Sequence, residues 1–196
     1  MLKAPLLCLP KLCLKLILPC LLVTGLFADA HATVMRYLEI EELAQLSTDV
    51  FQGQVLSTRT YWDESHSRIY TAVRVQVNET LKGAAKRGAL VTITQLGGEL
   101  DGMRLDYSGR PQFSNGESLV LFTKAGRKQD LIVVGLKQGK LRVVGDEVVR
   151  DFSGITLLEE TAATNLGKTG RAAAGKPQRI QTRMTMSELR QRLAKL

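Results

Sequence analysis

Cysteine and histidine are scarce in this 196-residue chain, and where they fall excludes more chemistry than any motif suggests. All three cysteines, Cys8, Cys13 and Cys20, lie in the first twenty residues, and that stretch reads as an export signal. Lys3, Lys11 and Lys15 precede an apolar segment from Leu16 to Ala28, and the small-x-small sites Ala28-Asp29-Ala30 and Ala30-His31-Ala32 follow. The apolar segment is about 13 residues, short of the roughly 20 that a membrane-spanning helix needs. We expect cleavage after Ala32 and a periplasmic or secreted product, 33–196. That product would have no cysteine, so neither disulfides nor thiolate metal sites could hold it together. It would keep one histidine, His66, which excludes a multi-histidine zinc site and argues against a serine or cysteine triad, since such a triad needs an activating imidazole held by a third group. No cofactor and no metal are implied.

Charge is distributed unevenly. The whole chain carries +8, yet 33–160 holds 16 Lys and Arg against 17 Asp and Glu. From 161 to 196 there are 8 basic residues and a single acid, Glu188. The excess therefore sits in a tail. That tail has no aromatic residue for base stacking, so specific nucleic-acid recognition is not expected. Contact with an anionic membrane through the tail is the alternative use of its charge, at about 1 kcal/mol per Lys or Arg.

The remaining sequence is rich in period-two patterning. A short helix over 40–46 is expected from Ile40, Leu43 and Leu46. A long strand follows over 50–61, with Gly53 as a bulge or close-approach point. The next strand alternates most strictly, with Ile69, Thr71, Val73, Val75 and Val77 on one face and Tyr70, Ala72, Arg74 and Gln76 on the other. Further strands are expected over 90–95, 103–107, 118–123, 131–136, 141–144 and 147–150, separated by glycine-containing turns. Residues 97–102 read as a glycine-rich loop. Asn115-Gly116 reads as a tight turn. The fold class is thus all-β, a partly open antiparallel barrel of OB type occupying 33–152. A flexible linker over 153–183 and an amphipathic helix over 184–196 complete the chain. The helix starts at a capping box, Thr185-Met186-Ser187-Glu188, with Met184 and Leu189 placed as a hydrophobic staple.

The ordered set Ser47–Val55, Trp62-Asp63-Glu64, Ile69-Tyr70-Thr71, Glu79–Gly83, Gly97-Gly98-Glu99, Gly109–Phe113, Gly116-Glu117, Val120-Leu121-Phe122 and Val134–Lys140 resembles a family of uncharacterised exported bacterial β-proteins. The likeness covers about 40–150. More distantly, the hairpin ending in Leu81-Lys82-Gly83 and the Gly-Glu pair before an apolar strand are similar to netrin-like domains. That resemblance implies an OB-type barrel and, as an extension, a role near proteases. Netrin-like inhibitors use disulfides and an N-terminal cysteine, which 33–196 lacks.

Candidate binding residues fall in three places. Tyr61, Trp62 and His66 make an aromatic tip between two strands. Gly97, Gly98 and Glu99 form a glycine loop able to expose backbone N–H groups to an anion. Arg110, Pro111 and Phe113 lead into the Asn115-Gly116 turn, with Phe113 expected to close one end of the barrel. The favoured reading is a non-enzymatic exported accessory domain of the cell envelope that engages a protein partner. Two alternatives stand beside it: an envelope enzyme pairing Asp63 with Glu99 or Asp101, and surface attachment through the basic tail.

Overall fold

The computed structural model describes residues 33–126, 130–158 and 180–196, all within the unit Ala32–Leu196. The expected export signal and most of the expected linker lie outside the described residues. In chain order the elements are β1 (Thr33–Arg36), α1 (Ile40–Leu46), β2 (Asp49–Trp62), β3 (Ile69–Lys82), β4 (Leu90–Leu96), β5 (Gly98–Leu100), β6 (Met103–Leu105) and β7 (Ser118–Ala125). They continue with β8 (Leu131–Val133), a 3-10 turn (Leu136–Gly139), β9 (Lys140–Val144), β10 (Glu147–Arg150), β11 (Ile155–Leu158), β12 (Arg183–Thr185) and α2 (Met186–Leu193). The protein is mostly β, and its largest sheet has eight strands in the order β12-β10-β9-β7-β2-β3-β4-β8.

β7 is the strand around which the rest packs. Its run Leu119-Val120-Leu121-Phe122 is buried throughout because both faces of the strand are covered. Val120 and Phe122 face one apolar cluster with Ile40, Leu43, Leu141, Val148, Leu189 and others. Leu119 and Leu121 face a second with Phe51, Val55, Val73, Val75, Val77 and Ile93. β2 splits in the same way, Val50 joining the first cluster and Phe51 the second. A continuous apolar run in place of alternation is what such a two-faced strand requires. β3, by contrast, buries Ile69, Thr71, Val73, Val75 and Val77 and turns Arg74, Gln76 and Asn78 to solvent, as its alternation predicts.

The long hairpin β2–β3 is irregular by design of its sequence. Register breaks fall at Val50/Phe51, Gln52/Gly53 and Val55/Ser57. At Gly53 a Cβ would come within 2.6 Å of the Gln76 carbonyl oxygen, so only glycine admits that close approach. β8 pairs with β7 through three residue pairs and with β4 in parallel through Ile93 and Leu131. Hydrogen-bonded neighbours therefore run from β7 through β2, β3, β4 and β8 and return to β7.

Several expectations are corrected. The strand expected over 131–136 stops at Val133, because Gly135 takes φ 67° and starts the 3-10 turn. The glycine loop 97–102 contains strand β5, which pairs with β6 in a two-stranded hairpin turning at Asp101-Gly102. β6 itself ends at Leu105, not 107. The segment assigned to linker from 153 begins with β11, which pairs in parallel with β1, a strand with no alternation to announce it. β12 straddles the boundary expected at 183/184, so the helix assigned to 184–196 begins only at Met186 and ends at Leu193.

The C-terminal helix docks on the core. Thr185 Oγ1 accepts from the Glu188 N–H at 3.0 Å, the capping contact read from the sequence. Met184, Met186, Leu189 and Leu193 are buried in the first cluster. Arg192 forms a fork onto Glu41 at 2.6 and 2.5 Å, and Arg190 a fork onto Glu79 at 2.9 and 2.7 Å. Among the described residues no helix is long and apolar enough to cross a membrane.

Candidate functional site

Seven of the nine candidate residues gather at one end of the β2–β3 hairpin. Tyr61 and Trp62 end β2, and the loop 63–68 turns back into β3. Asp63 builds that loop. Its Oδ1 accepts from the backbone N–H groups of Ser67 and Arg68, at 2.8 and 3.1 Å. Its Oδ2 accepts from the hydroxyls of Ser65 and Ser67, at 3.0 and 3.1 Å. Desolvation pushes the Asp63 carboxyl up, but these four hydrogen bonds outweigh it and hold the group below its ordinary value. A loop held this way presents its rings in fixed positions. Trp62 and His66 stack with centroids 6.2 Å apart, and the His66 backbone lies at φ 52°. Tyr61 stacks on Tyr70 across the strands at 6.0 Å, and the Arg59 guanidinium lies 5.9 Å from the centre of the Tyr61 ring.

The glycine pair serves packing. β5 lies against the hairpin end, with Thr60 Oγ1 donating to the Glu99 carbonyl at 3.0 Å and Thr71 Oγ1 to the Gly97 carbonyl at 2.6 Å. A Cβ on Gly98 would stand 2.6 Å from Thr60 Cγ2 and 2.8 Å from Thr71 Oγ1. On Gly97 it would meet the Leu105 carbonyl oxygen at 2.7 Å and Arg110 Cδ at 3.0 Å. The backbone of Gly97 and Gly98 is thus enclosed by neighbours and is not presented to an anion. The Arg110 side chain is packed there and donates to Asp106 at 3.0 Å; Asp106 also takes Arg104 at 3.0 Å. Both arginines hold the Asp106 carboxyl below its ordinary value.

Two of the three carboxylates weighed for catalysis, Asp63 and Asp101, are committed elsewhere. Asp63 is saturated by its own loop. Asp101 Oδ2 accepts from the Trp62 indole N–H at 2.8 Å, which joins the β5–β6 turn to the aromatic tip. Among the described residues no three His, Cys, Asp or Glu side chains are placed to hold one metal ion.

Pro111 and Phe113 belong to a different place. Phe113 is half-buried against the second apolar cluster, with Lys140 Nζ 5.0 Å from its ring centre. The turn beyond it is closed by Glu117 N–H to the Ser114 carbonyl at 3.1 Å, with Gly116 at φ 82°. Pro111 lines a cleft with Lys137, Lys140 and Arg142. Sequence reading did not single out those cations, because they lie in one short run, 137–142, and only its packing against 111–117 and 149–151 makes a cleft of it.

Two buried polar side chains were also missed, and both hold the N-terminal segment. Gln138 Oε1 accepts from the Leu38 N–H at 2.9 Å, and its Nε2 donates to the Arg36 carbonyl at 2.9 Å. Arg150, 2 % exposed, donates to the Leu38 carbonyl at 2.8 Å and lies over the rings of Tyr37 and Phe152, which themselves meet edge to face. Burial pulls its pKa below the usual arginine value.

Against this geometry, no family model matches the sequence, and no curated protein matches it.

Proposed function

We propose that this chain is an exported, non-enzymatic accessory domain of the cell envelope that binds a protein partner through the aromatic end of its long hairpin. The five-strand circuit β7-β2-β3-β4-β8 supports reading the core as an OB-type barrel, closed weakly where β4 and β8 share a single residue pair. That topology, together with the resemblance in the sequence, supports a distant kinship with netrin-like domains. Protease inhibition is not part of the proposal, since 33–196 has no N-terminal cysteine to offer a metal.

The observation that carries the reading is the pre-formed tip. Four hydrogen bonds on Asp63 and one from Trp62 to Asp101 fix an indole and an imidazole at the surface. A tip ordered before binding loses little entropy when a partner docks, and aromatic anchors are the side chains from which interfaces draw most affinity. Attachment through the basic tail gains less support, because Arg190 and Arg192 already pair with Glu79 and Glu41.

The test is affinity capture from periplasmic and secreted fractions with the tagged protein and its Trp62→Ala variant. The proposal expects a reproducible protein recovered by the first and lost, by tenfold or more, from the second. Equal recovery by both would remove the hairpin end from the interface.

A further inference from the structure

Between Pro111 and the strands β9 and β10 lies a cleft of about 140 Å³, with Pro111 and Val149 among its walls. Three cations line it, Lys137, Lys140 and Arg142. Two of them already have a carboxylate from within the chain. Lys140 Nζ stands 2.7 Å from Glu117 Oε1, and these side chains are only 14 % and 13 % exposed. Lys140 also donates to the Gln112 carbonyl. Lys137 Nζ lies 3.6 Å from Asp151 Oδ2 and donates to the Ser153 carbonyl. Arg142 differs. Among the described residues its exposed side chain has neither an ion pair nor a hydrogen bond, so of the three cations on this cleft it alone has no carboxylate partner from the described chain.

We infer that the cleft is a carboxylate-binding site, in which Arg142 takes an anion from outside the chain. The lining carries three positive and two negative side chains, so one further carboxylate balances it. The planar guanidinium fork matches a carboxylate through two parallel N–H···O bonds, which a lysine cannot offer. Pro111 and Val149 give the bound group an apolar wall, which suits a carboxylate on a short aliphatic stem. A volume near 140 Å³ admits one such group, together with a few waters, and no large ligand. The carboxylate can come from a free small acid or from an acidic side chain of a protein. This site does not depend on the hairpin end being an interface.

The test is a titration of the 15N-labelled protein followed by NMR at constant ionic strength, with propionate, with a short glutamate-containing peptide and with inorganic phosphate. Saturable shifts are expected for residues in 111–117 and 137–142 with propionate or the peptide. Arg142→Gln should weaken that binding at least tenfold, whereas Arg74→Gln, on the solvent face of β3, should leave it unchanged. Tighter binding of the peptide than of propionate assigns the carboxylate to a protein, and the reverse assigns it to a free acid. Linear, unsaturable shifts, equal affinity in Arg142→Gln, or tighter binding of phosphate than of either carboxylate would overturn the inference.

Discussion

Replacing Leu189 by alanine tests whether α2 is part of the cooperative core or an appendage resting on it. Leu189 is fully buried among Ile40, Leu43, Met186 and Leu193. Truncation removes three carbons, about 2.4 kcal/mol of transfer free energy at roughly 0.8 kcal/mol each. A residual cavity adds to that, so a loss of about 3–4 kcal/mol is expected. For a domain of this size each kcal/mol shifts Tm by roughly 2–4 °C, which gives a drop of about 6–16 °C. The fork between Arg190 and Glu79 provides the comparison, because it anchors the same helix at side chains that are 47 % and 38 % exposed. A solvent-screened pair of this kind contributes about 1 kcal/mol or less. Arg190→Gln should therefore lower Tm by under about 4 °C. Both variants are read by thermal unfolding followed by circular dichroism, as a single transition. A shift of less than 2 °C in Leu189→Ala would show that α2 detaches without loss to the core, and the packing account would be wrong.

Three further outcomes follow from the same contacts. Gly98→Ala forces a methyl against Thr60 and Thr71 and should cost about 1–3 kcal/mol in chemical denaturation; an unchanged midpoint would mean that β5 does not press on the hairpin. Asp63→Ala removes the acceptor of four hydrogen bonds, so amide exchange at Ser67 and Arg68 should speed up at least tenfold while β7 amides stay protected. Acidification should loosen α2. The Arg192 hydrogen bonds hold the Glu41 carboxyl below its ordinary value, and Arg190 does the same for Glu79. Groups with lowered folded-state pKa values contribute fully above the unfolded value, near 4.3, and lose that contribution as pH falls through the folded values. Tm should therefore fall more steeply between pH 5 and pH 3 in the parent than in an Arg190→Gln, Arg192→Gln double variant, and parallel curves would exclude these pairs as the cause.

What could be read in the sequence was whatever a local pattern encodes. The alternation of Ile69 to Val77 located β3, the spacing of Ile40, Leu43 and Leu46 located α1, and the Thr185–Glu188 box located the start of α2. Glycine misled in both directions. Gly97 and Gly98 suggested a loop, yet the bare Gly98 is what lets β5 lie against Thr60 and Thr71, and the bare Gly97 what admits the Leu105 carbonyl and Arg110. Gly135 sat inside an apolar run that looked like strand, but its left-handed backbone ends β8. The aromatic tip was visible as composition, while its partner Asp101 lies 39 residues along and could not be inferred. Gln138 and Arg150 were opaque for a related reason. Polar residues are ordinarily solvated, and only the backbone groups of 36–38 that they satisfy explain their burial. The cleft at Lys137, Lys140 and Arg142 likewise exists only in three dimensions.

The central claim, a partner bound at the hairpin end, is tested most directly by site-specific photocrosslinking from position 66 in living cells. The account predicts one discrete crosslinked protein from a photoreactive residue replacing His66, lost when Trp62→Ala is added. A matched photoreactive residue replacing Gln76, on the solvent face of β3, should give none. Crosslinks of equal yield from both positions, or from neither, would contradict it.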